Sequence, residues 1–438
     1  MPVSNELAIN GGPKAAPTDP TDTCEWPIIT EEDEEAVLEV LRRGAMSGRD
    51  VTLKFEAEYA EWHGVKYALC HSSGTAALQA AMWGCGVGVG DEIIAPSMTY
   101  WASALPVFGL QGTMVFADVH PDTLTIAPDD IEHRITNRTK AIVPVHLGGY
   151  PADMDPIMEI AERHGIKVIE DVSHAHGALY KGRLVGTIGH VACFSIMSGK
   201  ALATGEGGVL ITNDRYIWEK ATAWGHYGRT TATRWAEDME EDVITAPDLV
   251  PYKGLPWGGY KYRMHQLTSA VARVQLRHYR ERMEEILKAM NYFWDLLEGV
   301  PGLQAHRPSK DSGSTMGGWY APRGIYRQDE LGGLDLNSFA AAVKAEGGIC
   351  SPKRRQDLHL HPLLNDADIY GHGKPTRIAN SDRDMRQPAG SLPVTEMQWR
   401  IYGIPWFKHY RPQVIEEQAA AYRKVAENAD RVPPATTE

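Results

Sequence analysis

The chain has 438 residues, of which 43% are hydrophobic and 23% charged, with a formal net charge of -13. That length can bury one large core and a smaller companion, in a composition typical of water-soluble globular proteins. The acidic balance offers no electrostatic footprint for nucleic acid or an anionic membrane, so neither is expected as a partner, and an anionic substrate must be held by a local pocket.

Residues 1–30 are rich in Pro, Gly and Thr and read as an arm rather than a packed element. They lack a basic start and an apolar stretch, so no secretory signal is expected. No apolar run in the chain approaches the roughly 20 residues of a membrane span. From Val65 to Asp214, short β-rich runs alternate with helical segments. The runs are 65–73, 91–98, 113–119, 140–147, 166–172, 190–197 and 207–213, with helical patterns at 74–86 and 152–165. Such alternation implies right-handed crossovers and a largely parallel sheet buried on both faces. Ligands of such sheets bind beyond the carboxyl ends of the strands, which marks the residues just after each run. The charged, Trp-bearing stretch at 215–265 is too long for an ordinary connection and reads as a functional loop or subunit contact. A long helix is expected from His265 to Glu298, a smaller α/β domain from 296 to 438, and a closing helix over Val414–Asp430. The large domain is placed at 31–295. Cys24, Cys70, Cys85, Cys193 and Cys350 form no CxxC pair, which argues against a disulfide framework or a zinc site and suits a reducing cytoplasm.

Four groups of residues stand where chemistry is expected. Lys200 follows the apolar run at 190–197; Ser195 precedes it, and Glu206-Gly207-Gly208 follows, where glycines let backbone approach a bound group. Alone, such a lysine is more often a surface charge. Asp171 closes the strand KVIED at 167–171, where a ligand-binding carboxylate and a helix-capping aspartate are equally good readings. Ser73, Gly74 and Thr75 stand between a strand and a helix, and the N–H groups of a helix start suit a phosphate, or a plain cap. Tyr100 and Trp101 follow the second run and offer a flat surface for a ring, although aromatics there often serve the core. A Schiff-base lysine, an acid for a pyridinium nitrogen, a phosphate cradle and a ring platform are together what pyridoxal phosphate requires.

These motifs, with MSG at 46–48, GDEIIAPSMTYWASA at 90–104, VHLGGYPADMD at 145–155, IEDVSHAHGALYKGR at 169–183, GYKYRMHQL at 259–267 and LPVTE at 392–396, resemble the DegT-type (StrS-like) sugar and cyclitol aminotransferases. The likeness runs from about Leu7 to Arg423. It implies the aspartate-aminotransferase-like α/β fold of fold-type I pyridoxal-phosphate enzymes. By position it implies that Lys200 forms the Schiff base and carries protons, and that Asp171 pairs with the pyridine nitrogen. Ser73, Gly74, Thr75 and Ser195 would hold the phosphate, Tyr100 would stack on the ring, and His174 would lie beside it. Lys261 stands where many members place an Asn toward the phosphate of the neighbouring subunit; a lysine there still binds phosphate as a point charge. The resemblance further implies a homodimer with shared sites and ping-pong transfer between two small molecules, an amino donor and a keto acceptor; the cysteine usage adds a cytoplasmic location and no metal.

The donor implied is glutamate or glutamine, and the acceptor a nucleotide-linked keto sugar or a keto-cyclitol. The opening LAINGGPKA with Trp26 downstream resembles the cyclitol and aminohydroxybenzoate branch. His226, Tyr227 and Arg229 could line the acceptor pocket, with Arg229 taking a carboxylate, or could be structural contacts. His359 and His361 form an HxH pair without an evident third ligand, which reads as a substrate-side loop or surface rather than a metal site. Two rival readings are a pyridoxal-phosphate-binding regulator without turnover, and another fold-type I reaction such as deoxysugar dehydration or elimination. Lys200 and Asp171 weigh against the regulator, and a lysine rather than a histidine at 200 weighs against dehydration.

Overall fold

The computed structural model of the protein describes residues 6–230, 243–352 and 357–434. Each of the seven apolar runs forms a strand: β1 (Tyr67–His71), β2 (Glu92–Pro96), β3 (Thr113–Ala117), β4 (Thr139–Ile142), β5 (Lys167–Asp171), β8 (Val191–Ser195) and β9 (Gly208–Thr212), with a short hairpin of β6 (Leu179–Tyr180) and β7 (Arg183–Leu184) between β5 and β8. The sheet order is β1-β9-β8-β5-β4-β2-β3. All neighbours are parallel except β9, which is antiparallel to both β1 and β8. The α/β class is therefore as expected, with a mainly parallel sheet. Helices cover both faces, so residues such as Ile93, Ile94, Val168 and Ile169 are buried whichever way they alternate.

The crossover helices start and stop where their sequences direct. Ser73 caps the helix Gly74–Gly84 through its side chain. Gly165, with φ of 65°, ends the helix Met154–His164 by turning its N–H back to Ala161 and Glu162. The helix Gln266–Leu296 has 31 residues, about 45 Å by its rise. Its first half packs Ala272, Leu276 and Tyr279 into the core beneath the large sheet, and its second half packs Ile286, Met290 and Phe293 into a separate core. That second core belongs to an antiparallel sheet, β10 (Leu303–Ala305), β11 (Arg323–Tyr326), β13 (Ile401–Gly403) and β12 (Ser351–Pro352), in that spatial order.

Two stretches depart from a simple division along the chain. Residues 6–30 are packed, not a free arm: Leu7 and Ala16 are buried in the second core. The Glu346 carboxylate accepts the N–H groups of Ala8 (2.7 Å) and Ala15 (3.0 Å) and pairs with Lys424 (3.0 Å), giving a helix-poor backbone the partners it needs. Residues 358–395 return to the large sheet and cover its edge strand β3. There the Gln387 side-chain amide accepts the Phe116 N–H (3.1 Å) and donates to the Phe116 carbonyl (2.9 Å), as a strand would. The expected loop at 215–260 holds a helix, Arg215–Gly225, and packs Ile244 and Leu249; residues 231–242 lie outside the described residues.

Candidate active site

The carboxyl ends of β1, β2, β4, β5 and β8 lie along one edge of the sheet, and the candidate residues collect there. Asp171 and Glu170, adjacent on β5, face opposite sides because side chains alternate along a strand. Glu170 is an anchor. Burial pushes its carboxyl up, but the bond to His146 (3.1 Å) and the N–H groups of Gly189 (2.6 Å) and Gly186 (2.8 Å) outweigh that and hold it below its ordinary value. Asp171, 5% exposed, faces the site. Its carboxylate accepts the Ser103 hydroxyl (2.7 Å) and the Ser173 N–H (3.1 Å). The Thr99 and Ser103 hydroxyls lie 2.9 Å apart, and since Ser103 spends its proton on Asp171, Thr99 is the donor to Ser103. Both of these bonds come from neutral groups, an arrangement that suits a cationic N–H as a further partner.

Lys200 is 7% exposed, in the connection from β8 to β9. Its ammonium stands 3.9 Å from the centroid of the Tyr320 ring, a cation–π contact that compensates part of its burial. Tyr320 also packs on His174 at 4.6 Å, and the His174 Nδ1 accepts the Gly148 N–H at 3.4 Å. His176 is neutral: burial first, and then the charge of Lys200, pushes its imidazole down to about 3.

The turn after β1 makes a cradle. The Ser73 hydroxyl accepts the Ala76 N–H (3.1 Å), so its side chain serves the cap while the helix start presents backbone N–H groups. A Cβ on Gly74 would fall 2.8 Å from the Ser195 Cβ, and one on Gly208 would fall 2.4 Å from the Ser73 carbonyl carbon. Glycine at both positions is what lets Ser73, Ser195 and the Glu206-Gly207-Gly208 turn meet; Glu206 itself is exposed. Alongside, the Ser72 N–H donates to the Tyr262 carbonyl (2.7 Å), which puts the exposed Lys261 one residue from this turn of its own chain. Tyr100 is 49% exposed and sits at the rim, its ring 4.9 Å from Trp101 and its chain joined to Thr99 and Ser103.

Two expectations change. Arg229 does not face a substrate: its guanidinium forks onto Glu56 with two bonds of 2.8 Å, both residues buried. A buried pair of this kind is broken only at a cost of about 3–5 kcal/mol. His226 is buried nearby against His71, ring centroids 4.8 Å apart, and burial pushes it well below its ordinary value; the Tyr227 side chain lies outside the described residues. His359 is not on a surface loop. It is fully buried, with Nδ1 on the Ser97 hydroxyl (2.8 Å) and Nε2 on Glu396 (3.1 Å), while His361 caps the helix Pro362–Asn365. They have separate jobs, and no group of three metal-ligating side chains occurs among the described residues.

Several residues around Asp171 and Lys200 escape sequence reasoning. Ser103, Ser173 and Tyr320 are common residue types, and nothing in the sequence marks them as partners of Asp171 or Lys200. Arg323, buried on β11, has its guanidinium where a Cβ on Gly148 would approach its Nε to 2.9 Å, so it lies against the turn that contacts His174. Lys408 is only 3% exposed, its ammonium 3.3 Å over the Trp406 ring and 5.5 Å from that of Trp26. Burial pushes it down to about 7. Unfolded, it titrates near 10.5, so between pH 7 and 10.5 the unfolded chain binds the extra proton and stability rises with pH. Lys408→Met should therefore stabilise the protein most below pH 7, on the order of 3 kcal/mol after the indole contacts are allowed for, and the gain should shrink to near zero above pH 10.5. Urea unfolding of both proteins at pH 6 and pH 10.5 measures this; an equal difference at the two pH values would refute it.

Comparison with known proteins shows the family. The sequence profile of the DegT/DnrJ/EryC1/StrS aminotransferase family matches residues 27–382. The chain is 33% identical over 377 residues to the L-glutamine:2-deoxy-scyllo-inosose aminotransferase of Streptomyces kanamyceticus, covering 84% of each protein. It is 34% identical over 288 residues to the GDP-perosamine synthase of Escherichia coli O157:H7, covering 65% of this chain and 73% of that one. Among solved structures, an aminotransferase from Psychrobacter cryohalolentis superposes with a TM-score of 0.78 at 29% identity, covering 93% of this chain and 99% of that one. The chain belongs to the DegT/DnrJ/EryC1/StrS aminotransferase family and is an aminotransferase of the α/β fold its sheet displays.

Proposed function

We propose that Lys200 and Asp171 carry the transfer of an amino group from glutamine or glutamate to a keto-cyclitol or a nucleotide-linked keto sugar. Family membership implies pyridoxal-phosphate dependence, and the residues present fit that group. The observation that carries the reading is one sheet edge holding a buried carboxylate with neutral hydrogen-bond donors, a buried lysine, and a glycine-lined helix start that any Cβ would fill. The cofactor, when bound, supplies an electron sink for charge that develops on the donor's Cα.

Asp171, oriented by Ser103 and Ser173, would hold the proton on the pyridine nitrogen. Ser73, Gly74, Thr75 and Ser195 would hold the phosphate, Tyr100 and His174 would flank the ring, and Lys261 would reach the phosphate site of a neighbouring subunit in a homodimer. Lys200 would hold the cofactor covalently and, as a free amine, would take and return the proton at the donor's Cα. Arg229 is committed to Glu56 and so does not take the donor's carboxylate. The Streptomyces relative is named for L-glutamine and an inosose, and the Escherichia relative for a GDP-linked amino sugar; the higher coverage of the former favours glutamine and a keto-cyclitol. A cytoplasmic location fits the five cysteines, none of them in a disulfide.

The test is an absorbance spectrum of the purified protein with pyridoxal phosphate, before and after glutamine or glutamate. The expected result is a yellow band that bleaches with glutamine and returns on adding 2-deoxy-scyllo-inosose. Return only with a nucleotide-linked keto sugar moves the acceptor to that class, and a band unresponsive to either donor rejects the reading.

A further inference from the structure

The segment from Thr21 to Pro27 runs past the site, and one contact joins it to Lys200. The Trp26 indole N–H donates to the Lys200 main-chain carbonyl at 2.8 Å, across 174 residues of sequence. The Lys200 N–H is held separately, by the Met197 carbonyl at 2.8 Å in a local turn. The backbone of Lys200 is thus pinned on its amino side by its own turn and on its carbonyl side by Trp26.

Trp26 is itself held firmly. Its ring lies 6.3 Å from that of Trp406, and Trp406 donates to the Gly318 carbonyl at 3.0 Å. Two residues beyond Gly318 is Tyr320, whose ring meets Trp406 edge-on at 5.7 Å and the Lys200 ammonium at 3.9 Å. The Lys408 N–H donates to the Thr23 carbonyl (2.8 Å), and the Gln275 amide to that of Ile28 (3.0 Å), fixing the segment on both sides of Trp26. Trp26 and Tyr320 therefore grip Lys200 from its backbone and from its amine, and Trp406 joins the two.

We propose that Trp26 is a positioning residue of the transamination site: its indole N–H fixes the carbonyl of Lys200 and so orients the lysine amine. This rests on Lys200 being the cofactor-binding lysine. The step it serves is addition of the neutral amine to the aldehyde carbon of pyridoxal phosphate, forming the carbon–nitrogen bond and releasing one water. A group in such a step must be held within about 0.5 Å of its working geometry by supporting contacts. With the carbonyl released, rotation about the backbone of residue 200 swings an amine several bonds away by more than that.

Trp26→Phe keeps a ring against Trp406 and removes only the N–H. The apoprotein is mixed with pyridoxal phosphate, the yellow band followed by stopped flow, and the adduct located by borohydride reduction and peptide mass spectrometry. The expected result is capture slowed about three- to ten-fold, the scale of one hydrogen bond, with kcat lowered in step, KM for the donor unchanged and the apoprotein melting as wild type. Should Trp26→Phe melt early, the benzothienylalanine isostere, with sulfur in place of the N–H, gives the same reading. Wild-type capture by Trp26→Phe or by the isostere overturns the proposal and leaves Lys200 standing. A wild-type adduct on another lysine removes both.

Discussion

Lys200→Ala should abolish transamination, by at least about 10⁴-fold, because in the proposed reaction one side chain supplies both the covalent hold and the proton carrier. The measurement is steady-state turnover with glutamine and a keto acceptor, beside the absorbance spectrum. The variant should retain the fold. The wild-type ammonium is buried at 7% exposure and compensated by the Tyr320 face, so its removal exchanges a desolvation penalty for a lost cation–π contact. A melting temperature close to wild type with no turnover would place the loss in chemistry. Partial recovery by added methylamine, which supplies a free base to the space the side chain vacates, would show that proton transfer is one of the lost functions. A variant that turns over at a tenth of the wild-type rate would remove Lys200 from the reaction.

Asp171→Asn should lower kcat by about 10- to 10³-fold, the range expected when an opposite charge a few ångströms away no longer raises the proton affinity of the group it faces by one to three units. The substitution is close to isosteric. Asn can accept the bond from Ser103 or the bond from the Ser173 N–H, but its amide nitrogen cannot accept the other. Some of the loss is therefore orientation, and Ser103→Ala separates the two: it leaves the charge, removes the hydroxyl that orients it, and should cost about three- to ten-fold. The check is kcat for the three proteins at saturating cofactor, with weakened cofactor retention on dilution as a second readout. Equal losses in Asp171→Asn and Ser103→Ala would assign Asp171 a purely structural role.

The site was partly legible because parallel sheets direct ligands to one edge. Asp171 ends β5, Ser73 follows β1, and Ser195 closes β8; each is a property of position along a strand, which the alternation of apolar runs reveals. Arg229 shows where such reasoning fails. Its neighbourhood, WGHYGR, has the look of a polar binding loop, yet the guanidinium meets Glu56, 173 residues earlier, in the helix Asp50–His63. His359 failed similarly: an HxH pair resembles surface or ligand chemistry, but Ser97, 262 residues away, buries it.

The sequence by itself determined the elements and their kind. Period and composition set the strands from β1 to β5 and β8 to β9, Ser73 and Gly165 set helix ends through local hydrogen bonds, and the strand-end rule set the edge at which Asp171, Ser195 and Lys200 gather. These are short-range effects, decided within a few residues of each position. Only the tertiary structure decided which residues orient those groups: Ser103 on Asp171, Tyr320 beneath the Lys200 amine, and Trp26 on the Lys200 carbonyl. The physical reason is that a buried charge or carbonyl takes whatever partner the packed chain brings to it, and that partner leaves no periodic trace in the sequence.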